Sequence, residues 1–267
     1  MNNTYRHLAP ITEKAWTQIE VEARRTFITR LAGRRVVDVP PPGGESLSSI
    51  DVGHIRTVDS VIAGVETRQR VVQPLVELRV PFELSREEID DVDRGSQDSN
   101  WQPVKTAVET LAAAEDTLVC TGSPAADVLG IIPSSSNPVI ELGEGPNALA
   151  MAVAQAVTQL RTVGVQGPYG LMLSSDLHTL ASGGSDDGYP VSEHLRRALG
   201  KKNVIAFAPA LSGALVVSMR GGDYTLTLGE DVRIGYLSHD EKRVRLYVQE
   251  SVTFRVNTDE ASVVITE

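Results

Sequence analysis

The feature that most restricts the fold is a long run near the C-terminus. From Val244 to Val256, apolar residues return at alternate positions: Val244, Leu246, Val248, Val252, Phe254 and Val256. Successive side chains of a strand point to opposite faces, so this run specifies one long strand with an apolar face. Such a strand needs pairing partners and a covering layer. Glu250 falls on the same register and is expected to mark a bulge or a charge held for an interface. The opposite end of the chain has a different period. Trp16, Ile19, Ala23, Phe27 and Leu31 recur at helical spacing. They predict a helix from about Thr12 to Ala32, with Thr12 as N-cap and Gly33 as the C′ glycine.

Between these ends the elements mix. A Pro/Gly cluster at 40–44 breaks the chain. Residues 50–72 read as a polar hairpin with Val58, Val61, Ile62 and Val65 around Ala63-Gly64, and little apolar surface to bury on its own subunit. A strand follows at 74–82 with Val76, Leu78, Val80 and Phe82 on one face. Ser85 to Glu88 spells a capping box ahead of Ile89 and Val92. A helix from about Pro103 to Asp116 turns Val104, Val108 and Leu111 inward, with Pro103 in its first turn. Composition then shifts to Gly, Pro, Ser and Asn at 122–145. Beyond it, helices are expected at 147–163, 175–181 and 190–199, and strands at Tyr169–Leu173, Val204–Phe207, Ala214–Met219 and Tyr224–Leu228. Helices interspersed with strands, closed by a long C-terminal strand, define an α+β chain.

The 267 residues are 41% hydrophobic but only 4% aromatic, so the core must be built from aliphatic side chains. Net charge is −10, which argues against general nucleic-acid binding. Residues 1–35 are locally basic, but Glu13, Glu20 and Glu22 interleave with the arginines, as on a solvated helix face. A single cysteine, Cys120, permits no intrachain disulfide and is expected to be a buried thiol behind an apolar run. With no visible signal peptide and no stretch long enough to span a membrane, a cytoplasmic location is expected.

Catalytic constellations are not legible. The five histidines, His7, His54, His178, His194 and His239, show no metal-ligand spacing, and GxSxG is absent. Gly183-Gly184-Ser185-Asp186-Asp187-Gly188-Tyr189 is not followed by the GK[ST] of a phosphate loop. Arg220-Gly221-Gly222-Asp223 reads as a turn into a strand. No enzyme, no metal site and no catalytic residue is expected.

Four segments, in order, carry a resemblance: LAPITEKAWTQIEVEARRTFITRLAGRRVVDV at 8–39, ELSREEIDDVDRGSQDSNWQPV at 83–104, GPYGLMLSSD at 167–176, and RGGDYTLTLGEDVRIGY at 220–236 followed by RLYVQESVTFRV. Together they closely resemble the encapsulins, bacterial shell proteins that enclose a cargo enzyme, with wording nearest to the mycobacterial members. The resemblance implies the tailed-phage major capsid protein fold. It implies an N-terminal inner-face helix and cargo-groove segment at 1–39 and an extended loop at 40–73. A peripheral domain with a spine helix would occupy 74–130 and 222–267, and an axial domain 131–221.

It further implies a homo-oligomer of sixty copies and a cargo such as a dye-decolorising peroxidase or a ferritin-like protein. The positions matching the family's cargo groove are Phe27, Arg34, Val36, Asp38, Ile234 and Tyr236, with a local Arg34–Asp38 ion pair as a structural alternative. The pore loop on the fivefold axis would be Ser185, Asp186, Asp187, Gly188 and Tyr189, or else a plain solvated turn. The flavin that some members carry should be absent, because Glu87 stands where an aromatic would stack, so no cofactor is expected. The rival readings are a prophage capsid protein packaging DNA, disfavoured by the net charge, and a hydrolase or bacteriocin.

Overall fold

The computed structural model describes residues 4–145, 147–186 and 188–267, with Asp186 described by its backbone alone. Asp187, one of the expected pore residues, lies outside the described residues. Helix α1 spans Glu13–Arg30, and the Thr12 Oγ1 accepts from the Ala15 N–H at 3.3 Å, as the sequence predicts. Gly33 does not serve as a left-handed cap. It opens a short 3-10 turn, Gly33–Arg35, and a Cβ there would sit 3.1 Å from Asp116 Oδ1 and 3.2 Å from Val119. Its small size is needed for close approach to another helix.

Strands β1 (Ser49–Val58) and β2 (Thr67–Pro74) form an antiparallel hairpin that pairs with no other strand among the described residues. Strand β3 (Val76–Ser85) leads into α2 (Arg86–Arg94). The capping box does not form: Ser85 makes no side-chain cap, and Glu88 instead accepts from the Asn100 N–H at 2.8 Å. Helix α3 spans Gln102–Cys120, one turn longer than the sequence indicates. The Gly/Pro/Ser segment holds only short pieces: β4 (Gly122–Ser123), β5 (Val128–Leu129), α4 (Ile131–Ser134) and β6 (Ile140–Glu141). Next come α5 (Ala148–Thr162), β7 (Tyr169–Leu173) and α6 (Ser175–Gly183). A two-residue ladder of β8 (Ser185–Asp186) with β9 (Tyr189–Pro190) precedes α7 (Val191–Leu199). The chain ends with β10 (Val204–Phe207), β11 (Ala214–Ser218), β12 (Tyr224–Leu228), β13 (Arg233–His239), β14 (Arg243–Val256) and β15 (Ser262–Thr266).

Strand β14 is the run that the sequence singled out. On one edge it pairs with β3, from Arg243↔Ser85 to Val252↔Val76 without interruption. On the other edge it pairs with β13 and then β12. Glu250 therefore marks no bulge; the register shift lies between Tyr236 and Ser238 of β13. A second sheet has the order β10-β7-β11-β15-β6. Its strand β15 corrects the expected division, because Ser262–Thr266 pairs with β11 and β6 rather than joining the β14 sheet.

Two apolar cores result. One gathers α1, α2 and the first half of α3 against β3, β13 and the first half of β14. The other gathers the five-stranded sheet, α5, α6 and α7, the end of α3, and Val252 and Phe254 of β14. Both α3 and β14 run through both cores. Each changes core at acidic residues: Glu115-Asp116 in α3 and Glu250 in β14, all buried. Cys120 is buried in the second core, and burial pushes its thiol up to about 12, leaving it un-ionised at neutral pH.

Candidate functional site

Among the described residues, the polar seam between the cores has one cation. Arg34, just past α1, donates from Nε and Nη2 to Glu115, with the Nη2–Oε2 distance at 2.6 Å. Its Nη1 reaches Asp231 Oδ1 at 2.9 Å and its Nη2 reaches Glu250 Oε2 at 3.1 Å. Its guanidinium carbon stands 5.1 Å from the centre of the Phe27 ring. Glu115 and Glu250 are wholly buried, so two carboxyls share one cation away from water. Burial, reinforced by the neighbouring Glu115, pushes the Glu250 carboxyl up to about 10. Glu250 is thus held towards its neutral form at physiological pH. Beside them, Asp116 accepts from the Ala32 N–H and, at 2.7 Å, from the Gly33 N–H, pinning the turn that delivers Arg34. Burial pushes Asp116 up to about 6, against the pull of those two amides.

Arg34 also forms one end of a cavity of about 940 Å³ between α1 and the start of β13. Its apolar lining includes Ala23, Phe27, Ile28, Leu31, Val232 and Ile234. Around the rim, Arg6 pairs with Glu20, Arg34 with Asp231, and Arg233 with Glu230. Arg24, Arg35 and Glu45 also line the cavity, and none of their side chains has a hydrogen-bonding or ionic partner among the described residues.

The structure brings together three of the six residues expected at a cargo groove: Phe27, Arg34 and Ile234. Tyr236 lies at the far end, half-buried against the first core, with its hydroxyl 2.6 Å from His239 Nδ1. Val36 is buried in the second core, and Asp38 lies elsewhere on the surface, accepting from the Gly222 N–H at 2.5 Å. The alternative Arg34–Asp38 ion pair is not formed, because Glu115, Glu250 and Asp231 occupy the guanidinium. Ile28, Arg24 and Val232 escaped the sequence reading. Ile28 sits outside the Trp16–Leu31 stripe and is 60% exposed; an apolar residue on the polar side of an amphipathic helix is the signal that could have found it.

At the expected pore loop, Ser185 pairs with Pro190 and Asp186 with Tyr189. Gly188 takes a left-handed φ of 83°. Tyr189 is exposed and meets the His194 ring edge-on at 4.8 Å. Among the described residues no group of three His, Cys, Asp or Glu side chains is placed to hold a metal ion, and no helix is long and apolar enough to cross a membrane.

A four-stranded sheet crossed by a spine helix, a second sheet module and a projecting hairpin define the phage-capsid class of shell subunit. The chain superposes on a virus-like particle subunit from Pyrococcus furiosus with a TM-score of 0.61, covering 92% of this chain and 97% of that one at 15% identity. It superposes on a chain of Mycobacterium phage Ogopogo at 0.60, covering 89% and 92% at 13% identity. Within that class the sequence is specific. Residues 1–253 match the family described as "Encapsulating protein for peroxidase". The chain is 54% identical to the type 1 encapsulin shell protein of Brevibacterium linens over 98% of both chains. It is 51% identical to that of Mycobacterium tuberculosis over 99% of both. The chain belongs to the encapsulin shell-protein family, whose members are structural proteins rather than enzymes.

Proposed function

We propose that this chain is the protomer of an icosahedral nanocompartment of sixty copies that encloses a cargo protein. Its hairpin would join neighbouring copies, and its 182–189 loop would line a pore. The groove between α1 and β13 is read as the cargo site, with Phe27, Ile28, Arg34 and Ile234 as its receiving residues. The observation that carries this reading is the cavity itself. Ile28 holds an exposed apolar side chain over a floor of Phe27, Leu31 and Ile234, and free charges of both signs ring the opening. An apolar and basic peptide tail fits that chemistry. A dye-decolorising peroxidase fits the matching family's description, and a ferritin-like protein is the second candidate.

Electron microscopy of the purified protein tests assembly; protein-filled shells are expected, and DNA-filled shells would favour the phage-capsid alternative. Cargo capture is tested by Ile28→Ser. Burying an isoleucine contributes about 1.5–3 kcal/mol, so co-purified cargo should fall roughly tenfold or more while shells still form. Undiminished cargo in those shells would remove the groove from the reading.

A further inference from the structure

The outer edge of the β12–β13 line is covered by main chain on both sides of the cavity. At β12, the Asp38 N–H donates to the Tyr224 carbonyl and the Leu226 N–H to the Asp38 carbonyl, at 3.0 and 2.9 Å. Just beyond, the Gly43 and Gly44 N–H groups donate to the carbonyls of Leu228 and Gly229 at 2.9 and 2.7 Å. At the other end, the Tyr236 N–H donates to the Thr4 carbonyl at 2.8 Å. The Val232 N–H is satisfied by Asp231 Oδ1 at 2.9 Å.

Ile234 falls in the gap. On β14, the Ser251 N–H and C=O bond towards the β12–β13 side, and the Lys242 carbonyl bonds towards the β3 side at the Arg86 N–H. Backbone groups of successive strand residues point to opposite edges. The odd-numbered residues of β14 therefore serve β13, while Val248, opposite Ile234, serves β3. Hence Arg233 and Gly235 bond into the sheet, and the Ile234 N–H and C=O face outward, as Tyr236 does. Ile234 has no partner for either group among the described residues, and both border a cavity with apolar walls.

We propose that this gap is a strand-addition site: an extended segment of the cargo protein pairs its backbone with the Ile234 N–H and C=O, filling the break between Gly44 and Thr4. This rests on the cargo reading above and specifies its binding mode. Exposed strand edges accept extended peptides in this way, main-chain bonds giving affinity and pockets giving specificity through alternate side chains. One set of alternate side chains would enter the space between Phe27, Ile28 and Leu31. The segment's charges would meet the unpaired rim groups, a basic side chain at Glu45 and a carboxylate at Arg24 or Arg35. Thr4 would stop the segment at one end and so fix its register.

Hydrogen–deuterium exchange on intact shells, read at single amides, tests this with cargo-loaded shells and shells made in a host lacking the cargo. The Ile234 amide should exchange readily in empty shells and at least about tenfold more slowly in loaded ones. The Arg233 and Gly235 amides should be protected in both. Unchanged Ile234 exchange in loaded shells that lose their cargo on Ile28→Ser overturns strand addition and leaves the groove reading standing. Protection of Ile234 already present in empty shells also overturns it, since the edge is then covered by the shell itself. Cargo retained by Ile28→Ser shells overturns the groove and the proposal together. A second pair of variants reads the same bond. Both Ile234→Ala and Ile234→Pro lose the side chain, but only proline lacks the N–H, which at this edge faces away from β14. Shells of Ile234→Pro should load less cargo than those of Ile234→Ala; equal loading counts against the proposal.

Discussion

At the residue scale, the interior is organised by a single guanidinium. Arg34 joins α1, α3, β14 and the segment before β13, and it does so between two apolar cores. Removing one partner of a buried ionic group leaves the others uncompensated, so Arg34→Ala should cost about 3–5 kcal/mol of subunit stability, read as a lowered denaturation midpoint. The Glu250 carboxyl gives a pH signature. Its folded value is about 10 against an ordinary 4.5, so above pH 4.5 the folded chain keeps a proton that the unfolded chain releases. The resulting stabilisation is complete below the ordinary value and is lost as pH rises through the folded one. Melting temperature of the wild type should fall from mildly acidic towards alkaline pH. Glu250→Gln, which stays neutral, should flatten that fall; a parallel decline in both proteins would refute the assignment. None of this was legible in the sequence. Glu250 stood out only as a charge on an apolar register, and the residues that explain it, Arg34 and Glu115, lie 216 and 135 positions away. The groove residues Phe27, Arg34 and Ile234 came from resemblance, because spacing cannot bring residue 27 to residue 234.

At the element scale, the β1–β2 hairpin is the part least able to stabilise itself. It pairs only with itself and is tied at its base by Gln73 to the Phe254 carbonyl and by Arg255 to the Asp51 carbonyl. Near its tip, Val61 and Ile62 are 83% and 65% exposed. Two-stranded hairpins are marginal in water unless their apolar side chains find a covering surface, which here would be a neighbouring copy. Ile62→Asp should therefore abolish shells while leaving the subunit folded, seen as small particles in size-exclusion chromatography with unchanged far-ultraviolet circular dichroism. This hairpin was visible in the sequence because its polarity and central glycine are local properties. So were α1 and β14, whose periodic runs carry their own burial pattern, and α5 and β7, whose apolar content is local. Strand β13 was not, since an edge strand alternates with exposed Arg233, Leu237 and His239 and looks like a loop. Strand β15 went unread although Ser262–Ile265 is wholly buried, because its partners β11 and β6 are distant in sequence.

At the scale of the whole molecule, closed symmetry would multiply local charge. If the 182–189 loop lines a fivefold axis, Asp186 and Asp187 each recur five times around one opening. Such a ring concentrates cations and repels anions. Asp186→Asn with Asp187→Asn should slow metal-ion uptake into loaded shells at low salt and matter less at physiological ionic strength, where the Debye length is about 8 Å. Equal uptake at low salt would reduce the loop to a solvated turn. A mechanical consequence follows from the two elements that cross both cores. Helix α3 has neither proline nor glycine past its first turn, and β14 keeps its register on β3 for ten successive pairs. Proline and glycine are common sites of kinks, so these two elements form a continuous double keel across both cores. Any adjustment of curvature must then be made outside it, in the tilt between neighbours and the reach of the hairpin. If copies of such a tile are jointed only at their margins, a container of a single radius is expected over a graded series of sizes.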